Sequence, residues 1–246
     1  MGKRVAVVTG GIGGLGTAIC ISLAQAGRRV IAVDLGASSD RIAAFDATVA
    51  GLDIRFEPLD VTDFDACNAR VQGIAERHGA LDILVNAAGI TRDTTLRKMD
   101  KGQWDAVLGV NLDGVFNLCR PAVDHMVAHG FGRIVNISSV NGQTGQFGQA
   151  NYSAAKAGMH GFTMALAREV ARKGVTVNSI SPGYCETSMV MSMPEEIRAG
   201  IVANVPVGRL GRPEEIARTV EFLSADDAGF ITGANIPVNG GLFISF

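Results

Sequence analysis

TGGIGGLG at residues 9–16 sits between the apolar run RVAVV at 4–8 and a helical pattern in which Leu15, Ile19, Leu23 and Ala26 share a face. The β-branched run suits a strand buried on both sides, and Gly27 stops the helix. Gly10, Gly11, Gly13, Gly14 and Gly16 lie between the two. A strand, a glycine turn and a helix bring backbone close enough to wrap a pyrophosphate at the helix N-terminus. The spacing departs from G-x-G-x-x-G, and a glycine cluster alone also reads as a flexible turn. This unit predicts an α/β fold.

Residues 29–33 make a second strand, with Asp34 at its C-terminal end. A carboxylate there accepts hydrogen bonds from ribose hydroxyls and repels a 2′-phosphate. Neither Leu35 nor the glycine turn offers a basic residue, so NADH is favoured over NADPH. A helix-capping or surface Asp is the alternative, and Arg41 is a basic residue that can soften the preference. Further apolar strands are expected at 53–57, 81–85, 133–138 and 175–180. Thr62 or Asp63 caps a helix ending near Gly79. A long helix spans 104–126 with Asn111 inside it, either a packing compromise or a local distortion that holds a water.

Helical crossovers make the sheet parallel and doubly wound, with helices on both faces. Ligands then bind beyond the carboxyl ends of the strands. Gly10–Gly16, Asp34, Asp60, Asn86–Gly89, Ser138–Ser139 and Pro182–Gly183 all fall there. With no linker, repeat or low-complexity tract, residues 1–246 read as one domain. The Met- and Ser-bearing segment 187–203 is expected to be a substrate lid, or else a surface helical hairpin.

Twelve residues separate Ser139 from YSAAK at 152–156, where Tyr152 and Lys156 stand one helical turn apart. A phenol titrates near ~10, and a cation at about 4 Å in an effective dielectric of ~20 is worth roughly 4 kcal/mol towards phenolate. The expectation is that Lys156 lowers the Tyr152 pKa towards working pH, where a general acid is most useful. Ser139 then holds a carbonyl oxygen beside it. Taken alone, the pair also fits a half-buried aromatic beside a solvated charge.

Composition excludes little else. The chain is 47% hydrophobic and 19% charged, with a formal net charge of −2, which gives no sign of nucleic acid or anionic membrane as a partner. No apolar run approaches the ~20 residues of a membrane span, and no signal peptide is read, so the cytoplasm is expected. Cys20, Cys67, Cys119 and Cys185 are scattered, as are the four histidines, so no metal site is expected.

Together, TGGIGGLG, NAAG at 86–89, Asn111, Ser139, YSAAK, and Pro182-Gly183 with Thr187 resemble the short-chain dehydrogenase/reductase family along nearly the whole chain. The resemblance implies a Rossmann-type fold and a homotetramer. It implies Tyr152 as catalytic acid/base, Ser139 positioning the carbonyl, Lys156 lowering the phenol's pKa and binding the nicotinamide ribose, and Asn111 anchoring a relay water. The implied cofactor cradle is Gly10, Ile12, Gly13, Gly14, Leu15, Gly16, Asp34, Asp60, Val61, Asn86, Ala87, Ala88, Gly89, Tyr152, Lys156, Pro182, Gly183 and Thr187. Ala87 stands where the family more often has a second Asn.

ITRD at 90–93, the run from 136 to 166 and SPGY at 181–184 are similar to the acetoacetyl-CoA reductases of polyhydroxyalkanoate (polyhydroxybutyrate) synthesis. That similarity implies (3R)-specific reduction of an acyl-CoA. Substrate contacts would come from Asp93, Ser139, Gln146, Phe147, Gln149, Tyr152, Gly183 and Tyr184. Gln146 and Gln149 read alternatively as caps of the catalytic helix. Two departures stand out: the subfamily is usually NADPH-dependent, and residues 189–194 hold no basic residue for the CoA phosphates. Arg92, Arg97, Lys98 or Arg198 would then serve. The rivals are a 3-oxoacyl-[acyl-carrier-protein] reductase, a secondary-alcohol or sugar dehydrogenase, and a non-catalytic dinucleotide sensor or scaffold.

Overall fold

The computed structural model describes residues 2–36 and 38–244; Met1, Ala37, Ser245, Phe246 and the Met189 side chain lie outside the described residues. The expected domain limits and part of the expected lid therefore fall outside it. Seven strands follow in chain order: β1 (Val5–Thr9), β2 (Arg29–Asp34), β3 (Ile54–Pro58), β4 (Ile83–Asn86), β5 (Gly132–Ile137), β6 (Val175–Pro182) and β7 (Asn235–Val238). All pair in parallel in the order β3-β2-β1-β4-β5-β6-β7. The direction of winding reverses between β1 and β4, which opens a crevice at their carboxyl ends.

β1 shows why the sheet is covered on both faces. All five of its residues are buried. Successive strand side chains alternate, so Val5 and Val7 enter one core while Ala6 and Val8 enter the other. The first core is closed by α3 (Phe64–His78), α5 (Gly114–His129) and α7 (Ala150–Val170); α1 (Gly14–Gln25), α2 (Ser39–Thr48) and α10 (Pro213–Leu223) close the second. Fully buried Ile19, Leu23, Ile74 and Leu118 each contribute roughly 1.5–3 kcal/mol.

Four further helices complete the chain: α4 (Lys101–Leu108), α6 (Asn141–Thr144), α8 (Ser188–Met191) and α9 (Glu195–Asn204). The Asp63 carboxylate caps α3 by accepting from Ala66 N at 2.9 Å, and Gly79 ends it at φ +78. Two expectations need correction. The helix at 104–126 is α4 and α5 joined by a π-helical turn, Gly109–Asp113, with Asn111 at its centre. β7 (NIPV) was not expected: it is four residues long with an internal Pro, a pattern that argues against a strand. As an edge strand it tolerates Pro237, which has no N–H to donate.

Candidate active site

The glycine turn leaves β1 and bends back so tightly that side chains are excluded. Gly10 has φ +62, and a Cβ on Gly16 would fall 2.0 Å from Gly10 O. α1 then begins with Gly13 as its N-cap residue, directing free N–H groups into the crevice. Ile12 and Gly16 are buried, Gly13 and Leu15 half-buried. Gly14 lies against Thr187, to whose Cγ2 its Cβ would approach within 3.2 Å, so the turn and the segment after β6 meet. Asp34 ends β2, and the backbone N–H groups of Ile12 and Leu35 favour its anion. Burial holds its carboxyl above the usual range despite the nearby Arg41. Arg41 Nη2 is 3.8 Å from Asp34 Oδ2 and donates to Ile12 O at 3.4 Å.

β4 and β5 deliver the floor of the crevice. Thr9 Oγ1 accepts from Ala87 N and Ala88 N, each at 3.0 Å. Asn86 Nδ2 donates to Asn136 Oδ1 at 2.8 Å, and Asn136 Nδ2 to Thr163 Oγ1 at 2.9 Å, tying β4 and β5 to α7. The π turn swings Asn111 inward. Its Nδ2 donates to Ile90 O (2.9 Å) and Val107 O (2.8 Å), while its buried Oδ1 has no partner among the described residues. Gly89 lies directly above, where a Cβ would sit 2.7 Å from that oxygen and 3.6 Å from Lys156 Nζ.

Ser139, Tyr152 and Lys156 converge here. Ser139 acts on the Tyr152 hydroxyl in favour of its anion, and its Oγ accepts from Asn141 N at 3.1 Å. Lys156 is buried, and its Nζ donates to Ile137 O at 2.7 Å. The expected lowering of the phenol is corrected. Burial pushes Tyr152 above its ordinary 10.0; Ser139 opposes this, and the fields of Asp93 and Tyr184 add to it. Helical spacing gave the two residues one face, but the lysine stem turns to the end of β5. Its ammonium ends 5.6 Å from the ring centroid, and burial penalises the charged phenolate. The same burial pulls Lys156 down to about 7.

A family model for the short chain dehydrogenases matches residues 4–198. The chain belongs to the short-chain dehydrogenase family. It is 55% identical, across 98% of its own length and 99% of the relative's, to an acetoacetyl-CoA reductase of Allochromatium vinosum. It is 51% identical to the acetoacetyl-CoA reductase of Cupriavidus necator, covering 98% and 99%. The 3-oxoacyl-[acyl-carrier-protein] reductase FabG of Haemophilus influenzae is 43% identical over all of both chains. Among solved structures, the crystal structure of gox2181 superposes with a TM-score of 0.92 at 36% identity, covering 98% of this chain and 96% of that one. Short-chain dehydrogenases use a nicotinamide cofactor. The residues fit one: a side-chain-free cradle at a helix N-terminus, a carboxylate at the end of β2, and the unpaired Asn111 Oδ1 beneath Lys156.

The remaining expected positions of this short-chain dehydrogenase follow β3, end β6 or lie in the loop before α7. Asp60 Oδ1 accepts from Thr62 N and Oγ1, and Val61 O from Asn117 Nδ2. Pro182 O accepts from Val140 N, and Gly183 N donates to Val238 O. Phe147 is 87% exposed; Gln146 is exposed and Tyr184 half-buried. Gln149 occupies the N-cap position of α7 but makes no side-chain cap. Its Nε2 donates to Asp93 Oδ2 at 2.8 Å and its Oε1 accepts from Asn141 Nδ2 at 2.9 Å. Sequence reading missed Asn141 and Asn151. Asn151 is fully buried; its Oδ1 accepts from Tyr152 N and its Nδ2 donates to Arg92 O and Gln103 O. Its one signal was its place just before Tyr152.

Among the described residues no group of three His, Cys, Asp or Glu could hold a metal, and no helix is long and apolar enough to cross a membrane.

Proposed function

We propose that this short-chain dehydrogenase reduces acetoacetyl-CoA to (3R)-3-hydroxybutyryl-CoA and prefers NADH to NADPH. The observation that carries the reading is the convergence of Ser139 and Tyr152 with a buried, carboxylate-free Lys156 at the end of β5. The full-length likeness to relatives named acetoacetyl-CoA reductase supports it. When bound, the reduced nicotinamide supplies a hydride to C3 of the ketone. Ser139 holds the ketone oxygen and Tyr152 gives it a proton. Tyr152 is protonated at neutral pH, and burial makes it a weaker acid than a free phenol, so its proton passes as negative charge develops on the ketone oxygen. Lys156 engages the nicotinamide ribose, and Asn111 Oδ1 holds the water that returns a proton to the site.

The turn Gly10, Ile12, Gly13, Gly14, Leu15 and Gly16 would cradle the pyrophosphate. Asp34 would take the ribose, Asp60 and Val61 the adenine, Asn86 to Gly89 the middle of the dinucleotide, and Pro182, Gly183 and Thr187 the carboxamide. NADH is preferred because Asp34 repels a 2′-phosphate and Arg41 already faces that carboxylate. For the acyl group, Gln146, Phe147, Tyr184 and Gly183 line the mouth, while Asp93 fixes Gln149. Residues 187–203, folded as α8 and α9 with Arg198 Nη1 on Met191 O at 2.6 Å, act as the lid. Arg92, Arg97, Lys98 or Arg198 meets the CoA phosphates. The working form is a cytoplasmic homotetramer formed by one continuous domain.

A second reading, reduction of 3-oxoacyl groups on acyl carrier protein, is favoured by the relative of that name at 43% identity. Initial rates with acetoacetyl-CoA and its carrier-protein ester, each with NADH and NADPH, separate the two, and chiral analysis of the product tests the (3R) assignment. A higher kcat/KM on the carrier-protein ester would sink the CoA reading.

A further inference from the structure

Three consecutive residues of the loop after β4 are tied to the start of α7. Arg92 O accepts from Asn151 Nδ2 at 3.3 Å, Asp93 Oδ2 accepts from Gln149 Nε2 at 2.8 Å, and Thr94 N donates to Gly148 O at 2.8 Å. Anchored on both sides, the Asp93 carboxylate is held facing the Gln149 amide. From there the hydrogen bonds run inward. Gln149 Oε1 accepts from Asn141 Nδ2 at 2.9 Å, and Asn141 N donates to Ser139 Oγ at 3.1 Å. Asp93 is exposed, Gln149 half-buried and Asn141 buried, so the chain leads from solvent to the catalytic serine.

Its sense is fixed by chemistry. An ionised carboxylate can only accept. Gln149 must therefore turn its NH2 to Asp93 and its oxygen to Asn141, and Asn141 must give its own NH2 to that oxygen. A buried amide hydrogen left without an acceptor costs more than the bond returns when made, so Asn141 stays where the Gln149 oxygen is. Its backbone N–H then occupies one lone pair of Ser139 Oγ. A backbone N–H never accepts, so the Ser139 proton points elsewhere and is free for a second oxygen.

We propose that Asn141 and Gln149, turned one way by Asp93, are positioning residues for Ser139: they hold its hydroxyl with the proton free for the ketone oxygen. This rests on the role given to Ser139 above. Gln149 then serves the reaction through Asn141, not through a contact with the acyl group.

The test is a charge swap. Gln149→Glu sets two carboxylates face to face and breaks the outer link. Adding Asp93→Asn supplies an amide donor there, at the net charge of wild type and with the Asn141 link intact. With acetoacetyl-CoA and NADH, Gln149→Glu should lower kcat at least ~5-fold with KM within ~2-fold, and the double variant should recover to within ~2-fold of wild type. A loss carried by KM, or one that Asp93→Asn does not repair, overturns the proposal, because a substrate contact made by Gln149 cannot be restored from Asp93. Should Gln149→Glu fail to fold, Asn141→Asp offers an acceptor to the Gln149 oxygen and must show the same loss of kcat at constant KM; full turnover refutes the chain. A readout free of activity is NMR hydrogen exchange of the Asn141 backbone amide in the cofactor-free protein. It should exchange at least ~10-fold faster in Gln149→Glu and in Ser139→Ala, and return towards the wild-type rate in the double variant. An Asn141 amide that Gln149→Glu leaves as protected as before sinks the link to Ser139. Should wild type not reduce acetoacetyl-CoA, the function proposed above falls, and the exchange rates still decide the chain.

Discussion

Replacing Lys156 by Met should make the cofactor-free protein more stable while abolishing turnover. Burial alone pulls the lysine from 10.5 to about 7. At ~1.4 kcal/mol per pKa unit, that is a penalty of ~5 kcal/mol borne by the folded chain. Methionine keeps most of the apolar stem and removes the charge, at the loss of the hydrogen bond to Ile137 O, worth about 1.5–3 kcal/mol. The net gain is ~2–3 kcal/mol at about pH 6.5, or roughly 4–12 °C in Tm for a chain of this size. The pH dependence has a fixed sign. Between about 7 and 10.5 the unfolded chain holds a proton that the folded chain has released, so wild-type stability gains from this group as pH rises. The penalty is complete below 7 and relieved towards 10.5. The variant's advantage should therefore shrink by ~3 kcal/mol between about pH 7 and 9.5. Buried Cys67 and Cys119, both pushed up to about 12, and Cys185, to about 11, weaken both proteins equally above 9 and cancel in the difference. Urea unfolding followed by circular dichroism at three pH values measures this. An advantage that does not change with pH, or a variant less stable than wild type at 6.5, refutes the reasoning.

Three further outcomes test the site. Tyr152→Phe should cut kcat by ~100-fold or more and change the NADH Kd little, measured by fluorescence titration; retained turnover removes the phenol from the proton step. Gly16→Ala places a Cβ 2.0 Å from Gly10 O, a backbone atom with no freedom to yield. It should cost ~1–3 kcal/mol of stability and weaken NADH binding at least ~10-fold, and calorimetry showing neither would contradict the cradle. Asp34→Ser should release Arg41 for a 2′-phosphate and move the NADPH-to-NADH ratio of kcat/KM up at least ~10-fold; an unchanged ratio counts against Asp34 as the selector.

How much of this was legible depended on whether local chemistry or long-range packing decided the outcome. β1 to β6 were readable because apolar β-branched runs ending in glycine or polar residues have few alternatives. β7 was not, since four residues with a proline carry no strand signal until β6 stands beside them. Asn111 read either as a packing compromise or as a distortion, because its amide competes for helix carbonyls, and its Nδ2 holds Val107 O inside the π turn. The contacts that anchor Gln149 to Asp93 and Asn141 depend on loops folding back. No periodicity encodes them.

Spacing on α7 also misjudged the electrostatics, and the reason bears on direction. Four-residue spacing fixes a shared face but not where a long flexible stem ends, nor how dry the site is. The drier the site, the more a phenolate costs. Burial, Asp93 and Tyr184 all oppose that anion, and Ser139 alone favours it. Carbonyl reduction starts from the neutral phenol, whereas alcohol oxidation needs the anion as base. With Tyr152 in the role proposed, the cofactor-free site rests in the protonated form that reduction consumes, though as a weaker acid than a free phenol. Nor can Lys156 tip the balance from its present place, because its own charge is marginal near neutrality. A group that sharpens that charge, such as a cofactor ribose hydroxyl accepting from Nζ, would act on the lysine first and on the phenol only through it.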